Sequence, residues 1–319
     1  MNNFIVAFIG YGKQAKKIEK IINKNISISQ TIVFNPKYKK NSLRNLTFTN
    51  KFEEIIKSNI IFITSPNNTH FSYLEKLHKF KFKKYIFCEK PLCENVDELN
   101  KLKLLFKDFK KLYVNFNYRF SPISEIISEA KKNKYGKVIK INFNNSHGLA
   151  FKKFFKKTWR NSHDKNFMLV NKAIHIIDLL IYNYEIPVTY DHLVLNYAKE
   201  SKFLDTLKLN LNFKNFISSS IFCSYATPFQ FNFDLITSNA IFKFEFNKIS
   251  IFYPRDTFNK MGQFKTPACY KMKKYKSFEH ESLNSSIEFF CKKLKKNAII
   301  EKSIINSYIN THEFIFKNF

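Results

Sequence analysis

Residues Phe4 to Ala15, FIVAFIGYGKQA, constrain the fold more than any other stretch of the chain. Phe4–Ile9 is an unbroken apolar run, short enough for a strand covered on both faces. The six residues after it, Gly10-Tyr11-Gly12-Lys13-Gln14-Ala15, fit Gly-x-Gly-x-x-Ala, and Ile18, Ile21 and Ile22 continue at helical spacing. Gly10 allows a tight turn, Gly12 lets a pyrophosphate approach the backbone, and Ala15 lets the helix pack closely on the strand. The free N–H groups at the helix start, with Tyr11, Lys13 and Gln14 beside them, are expected to hold phosphates. An ordinary strand–helix turn can carry the same letters. The position directly after a buried strand is the context that a dinucleotide site requires.

The remainder of the first half repeats this alternation. Ile28–Phe34 reads as a strand, Phe52–Ser58 as a short helix and Asn59–Thr64 as another strand. That strand ends in Thr64-Ser65-Pro66-Asn67-Asn68-Thr69-His70, turn chemistry leading into a helix over 71–80. Tyr85–Cys88 is a strand ending in Glu89-Lys90-Pro91, 97–109 is helical, and Leu112–Phe116 closes the sheet. Strand alternating with helix predicts a doubly wound parallel sheet with ligands beyond the carboxyl ends of its strands. At the end of the second strand, where an NAD-binding fold usually carries an acid for the ribose, stands Asn35, followed by Lys37, Lys39 and Lys40. The cofactor is therefore NAD or NADP. Loss of the carboxylate leans towards NADP, unless those lysines belong to the general surplus.

That surplus is large: the net charge is +29, and 50 of the 54 basic residues are lysines, spread over nearly the whole chain. Bidentate reading of bases or phosphates usually employs arginine, present only as Arg44, Arg119, Arg160 and Arg255. The charge is read as a solvated surface that favours an anionic substrate, with no nucleic acid as partner. Five scattered cysteines without a CxxC or Cys/His cluster imply reduced thiols and no metal site. No apolar run reaches membrane-spanning length, and a cytoplasmic location is the default expectation.

From residue 121 the pattern changes. A helix over 121–134 and a strand over 137–146 precede a basic, aromatic loop with Trp159-Arg160. Phe167–Tyr184 is helical, with Asn171, His175 and Asp178 on one face, marking either a site, an interdomain contact or a face open to water. Strands follow at 191–198, 206–213, 217–225, 230–237 and 240–246, an open antiparallel sheet, then helices at 281–294 and 304–316. Residues 1–118 are the expected Rossmann domain. Residues 119–319 are the expected α+β substrate and oligomerisation domain.

The nucleotide fingerprint, Thr64-Ser65-Pro66 with His70, Glu89-Lys90-Pro91, Asn117-Tyr118-Arg119-Phe120 and His175-Ile176-Ile177-Asp178 resemble, in order and spacing, the glucose–fructose oxidoreductase / inositol dehydrogenase / rhizopine-catabolism (Gfo/Idh/MocA) family. The resemblance implies NAD(P)-dependent hydride exchange with a carbinol or keto carbon of a sugar, polyol or nucleotide sugar. It also implies a homodimer or homotetramer built through the C-terminal sheet, and a cis Lys90–Pro91 bond. Lys90 and His175 become the expected catalytic pair, the imidazole because it titrates near neutrality. Glu89 supports the loop, while Tyr118, Arg119, Trp159 and Arg160 become substrate-side candidates. The family's Asp-x-Gly-x-His reads here Asn171-Lys172-Ala173-Ile174-His175. Asn171 hydrogen-bonds the same partners but carries no charge. The chain is then either an enzyme running on Lys90 and His175 or an impaired member that binds cofactor or sugar as a sensor or scaffold. His163-Asp164 is a substitute proton acceptor in the same region.

Overall fold

A computed structural model describes residues 3–37, 41–43, 46–107, 109–152, 168–198 and 204–319. The chain divides into two compact units: Met1–Phe116 with Leu283–Phe319, and Asn117–Ser282. The C-terminal segment thus belongs with the first unit, whereas the sequence reading kept 119–319 together.

The first unit is built on β1 (Asn3–Ile9), β2 (Ser27–Phe34), β3 (Asn41–Leu43), β4 (Leu46–Thr49), β5 (Ile60–Ile63), β6 (Tyr85–Cys88) and β7 (Leu112–Val114), in the order β3-β4-β2-β1-β5-β6-β7. Six strands run parallel; only β3 pairs antiparallel, with β4. β5, β6 and β7 are buried at every residue, which is why their apolar runs lack alternation. The helices α1 (Lys13–Asn25), α2 (Phe52–Ile55), α3 (His70–Lys79) and α4 (Val96–Leu105) connect them. Amphipathic α1 buries Ala15, Ile18, Ile21 and Ile22. Near the C-terminus, α7 (Phe278–Lys295) places the Phe290 ring against Phe62, Phe87 and Tyr113 of the sheet, and α8 (Lys302–Asn318) places Tyr308 against Phe116.

The second unit holds α5 (Pro122–Ala130), α6 (Ile174–Tyr184) and eight strands: β8 (Val138–Ser146), β9 (Thr189–Leu195), β10 (Thr206–Asn212), β11 (Ser218–Ser224), β12 (Gln230–Thr237), β13 (Ile241–Glu245), β14 (Lys248–Phe252) and β15 (Cys269–Lys274). Their order is β15-β14-β13-β12-β8-β11-β10-β9. One neighbouring pair departs from the expected antiparallel run: β8 and β11 are parallel. A long connection through α6 separates them, and such a crossover returns the chain in the same direction, as a hairpin cannot. Two strands, β14 and β15, were not anticipated. β13 turns into β14 through Phe246 and Asn247, both at positive φ, a two-residue turn without the glycine that usually signals one.

Along β10, Leu207, Leu209 and Leu211 are buried while Lys208, Asn210 and Asn212 are exposed. The outward side chains bond in a polar ladder: Asn210 Nδ2 donates to Asp191 (3.0 Å), Ser220 Oγ to Asn210 (2.9 Å) and Asn144 Nδ2 to Asn232 (2.8 Å). The aromatic surplus fills the inner face instead, with Phe143, Phe233, Phe242 and Phe244 buried.

Candidate active site

In the first unit the sheet changes direction of growth at β1, flanked by β2 and β5. Gly10 follows β1 at φ +80°, and a Cβ there would stand 2.8 Å from Ser65 Cα and 2.9 Å from Ser65 N. Conformation and space both demand glycine. Thr64 Oγ1 donates to Gly10 O at 2.7 Å, closing the turn onto the end of β5. Gly12 caps α1 in extended conformation. No side chain caps the first turn, no acid lies within it, and the space where a Cβ would stand is open. Uncapped N–H groups beneath open space fit a pyrophosphate. Lys13 is exposed at the first helical position. The Tyr11 hydroxyl donates to the Glu19 carboxylate, and burial with that carboxylate keeps the phenol protonated well above its usual range.

At the end of β2, Asn35 N–H donates to Thr49 O (3.0 Å) and its Oδ1 accepts from Lys37 N–H (3.0 Å), with Lys37 exposed. Lys39 and Lys40 lie outside the described residues. Pro66 opens the turn Asn67–Thr69, whose Thr69 hydroxyl bonds Ser65 Oγ and Pro66 O, both at 2.7 Å.

The segment Glu89-Lys90-Pro91-Leu92 follows β6 with a cis Lys90–Pro91 bond. Glu89 N–H donates to Ile63 O (3.0 Å). Its Oε1 accepts from Gln14 Nε2 (3.0 Å) and Asn115 Nδ2 (2.9 Å). Asn115 Oδ1 accepts from Ser286 Oγ (2.8 Å), which also bonds the Tyr113 hydroxyl (2.8 Å). Two histidines bracket the segment. The buried His70 ring faces Pro91 O at 2.6 Å and Ser65 O at 2.9 Å. His312 Nε2 accepts from Leu92 N–H (2.9 Å) while Nδ1 faces Tyr308 O (2.7 Å). That pairing defines a neutral ring with its proton on Nδ1. Burial pulls His312 down to about 4 and lowers His70 also. Lys90 itself is half-buried.

In the second unit, Leu169–Ala173 is a stretch of π-helix leading into α6. Such widened turns frequently accompany sites. Asn171 lies within it, half-buried, and His175 stands in the first turn of α6. The Tyr118 ring stacks on His175, centroids 4.8 Å apart and planes 20° from parallel, while Phe278 meets Tyr118 edge-on at 5.0 Å. Burial holds the Tyr118 phenol protonated. The next residue, Arg119, forks onto Asp178: Nε to Oδ2 at 2.7 Å and Nη2 to Oδ1 at 2.5 Å, with the side chains 6% and 0% exposed. The guanidinium also covers Tyr182 at 4.2 Å. The helix face carrying His175 and Asp178 therefore docks on the turn Asn117–Phe120, and Asp178 is not open to water. Arg119, expected on the substrate side, holds a helix. Trp159, Arg160, His163 and Asp164 lie outside the described residues.

Sequence reasoning passed over Asn115, Ser286, His312 and Lys172. Asn115, between Val114 and Phe116, and Thr311-His312, on the buried face of α8, are the clearest cases.

Residues 4–116 match the Gfo/Idh/MocA family, described as an oxidoreductase family with an NAD-binding Rossmann fold. Glucose-6-phosphate 3-dehydrogenase of Bacillus subtilis (strain 168) is 31% identical over 147 residues, 44% of this chain and 40% of that protein. The match thus spans well under half of that relative. Among solved structures, levoglucosan dehydrogenase in complex with NADH and levoglucosan superposes with a TM-score of 0.77 at 14% identity, covering 99% of this chain and 96% of that one. UDP-N-acetylglucosamine 3-dehydrogenase from Acidithiobacillus ferrooxidans gives 0.73 at 12% identity, covering 99% and 97%. At such identities the likeness establishes a shared fold.

Proposed function

We propose that this chain, whose residues 4–116 match the Gfo/Idh/MocA oxidoreductase family, is an NAD(P)-dependent dehydrogenase or ketoreductase of a sugar or polyol. The bond from Gln14 to Glu89 carries the reading. It ties the first turn of the helix suited to a pyrophosphate directly to the loop that presents Lys90. The named relatives act on, or hold, cyclic sugars: levoglucosan, glucose 6-phosphate and a nucleotide-linked N-acetylglucosamine.

Bound nicotinamide supplies the hydride acceptor or donor. The chain supplies position and proton transfer. The Lys90 ammonium donates a hydrogen bond to the reacting hydroxyl oxygen. In oxidation the imidazole of His175 would take the proton of the reacting hydroxyl, and in reduction it would return that proton. The Tyr118 stack fixes the imidazole plane, and Asn171 offers an uncharged amide to orient its partners. Asn35 bears no charge to repel a 2′-phosphate, and Lys37 stands two residues on, which supports NADP(H) over NAD(H).

Absorbance of the reduced nicotinamide with a panel of sugars tests the reading. Lys90→Ala and His175→Ala are each expected to lower kcat by ~10²–10⁴. Equal background rates for wild type and both variants would instead favour a sensor or scaffold. A higher kcat/KM with NAD than with NADP would refute the cofactor choice.

A further inference from the structure

Lys172 lies one residue after Asn171 and three before His175, inside the π-helical stretch. Although a lysine, it is only 7% exposed. Its Nζ stands 4.9 Å from the centre of the Tyr225 ring. The buried Cys223 thiol and the Glu279 carboxylate act on it through space, and the same two groups act on Tyr118. Tyr118 in turn stacks on His175. Lys172, Tyr118 and His175 therefore share one neighbourhood of the second unit.

No carboxylate among the described residues lies within ion-pairing distance of Lys172, although Arg119 is forked onto Asp178 within the same unit. An interior ammonium without a close ion-pair partner is unfavourable unless it neutralises or acquires an anion. Burial draws Lys172 down to about 8, the shift that an arriving anion would reverse. The Tyr225 face gives partial compensation only. The surplus of +29 over the whole chain draws anions in the same direction.

We propose that Lys172 binds an anionic group carried by the substrate, a phosphoryl or carboxylate on the sugar, and so selects acidic sugars over neutral ones. This rests on the dehydrogenase reading of the same site and names its substrate class.

Calorimetric titration of the full chain, with NADP present, tests the inference through binding alone. The probes are glucose 6-phosphate, glucuronate and glucose; the proteins are wild type, Lys172→Met and Lys172→Arg. Wild type is expected to bind at least one acidic sugar more tightly than glucose, and the two acidic probes separate phosphoryl from carboxylate recognition. Lys172→Met should lose ~10- to 100-fold of that preference, the worth of a charge-assisted contact, and Lys172→Arg should keep most of it. An unchanged preference in Lys172→Met, or no preference in wild type, would overturn the assignment. Should the Met variant fail to fold, Lys172→Gln serves as the neutral variant, and a preference unchanged in it overturns the assignment equally. Absent turnover with every sugar would count against the dehydrogenase while Lys172-dependent binding survived; turnover with Lys172-independent binding would do the reverse.

Discussion

The segment presenting Lys90 and the helix presenting His175 are held by different physics. Residues 89–92 are fixed by directed hydrogen bonds: Gln14 and Asn115 donate to Glu89, and Leu92 N–H donates to His312, residues far apart in sequence. The start of α6 is fixed by a ring stacked on His175 and one buried ion pair on Asp178, both from two consecutive residues of one turn. In the first region support is spread over many modest contacts. In the second it is concentrated in a pair whose halves do not tolerate separation.

The largest expected effect follows from that concentration. Arg119→Met leaves the Asp178 carboxylate buried without its guanidinium, and a broken interior pair of this kind costs ~3–5 kcal/mol. Urea unfolding would register it. The double variant Arg119→Met/Asp178→Leu should recover most of the loss, since removing both charges also removes the desolvation penalty. A single variant within ~1 kcal/mol of wild type would show that the pair is not what secures the helix.

Next in size is His312→Ala. It strands the buried Leu92 N–H and is expected to cost ~1–3 kcal/mol. The same histidine makes the fold acid-sensitive in a definite direction. It is neutral when folded, drawn to about 4, while in the unfolded chain it takes a proton near its ordinary 6.5. The unfolded state therefore binds more protons between those values, so stability falls as pH drops from 6.5 towards 4, by up to ~3 kcal/mol. His70, also lowered by burial, adds in the same sense. His312→Gln, whose amide oxygen can accept from Leu92 N–H, should flatten this dependence, leaving the part due to His70 and to lysine-paired carboxylates such as Glu313. A pH–stability profile identical to wild type would remove His312 from the account.

These two regions also differ in how far they were legible in the sequence. Parallel strands buried on both faces read as apolar runs, so β1, β5 and β6 and the residues at their ends could be placed, Gly10 and Glu89 among them. The partners of Glu89 could not. Asn115 and Ser286 act through hydrogen bonds to residues 26 and 171 positions away, and no local period encodes such a pairing. The helical spacing of His175 and Asp178 did put them on one face, but it could not say that Arg119 would claim that face. β14 escaped notice because Phe246 and Asn247 make its turn without glycine. Lys172 was hidden among forty-nine other lysines by composition, and only burial distinguishes it.

The smallest effect tests whether support at residues 89–92 is shared. Ser286 Oγ donates to Asn115 Oδ1 and bonds the Tyr113 hydroxyl, two steps from Glu89. Ser286→Ala should cost only ~1 kcal/mol in stability, with the fold intact. Its amide orientation no longer fixed, Asn115 would hold Glu89 less firmly, and Gln14 would become the main remaining side-chain donor to that carboxylate. Gln14→Leu should then be more damaging in the Ser286→Ala background than alone. A double-mutant cycle read on stability and on kcat is expected to show ~0.5 kcal/mol or more of coupling, with kcat falling more than KM rises because Lys90, and not the cofactor turn, is displaced. Strict additivity of the two substitutions would mean that the donors to Glu89 act independently, and the contrast with the Arg119–Asp178 ion pair of α6 would lose its basis.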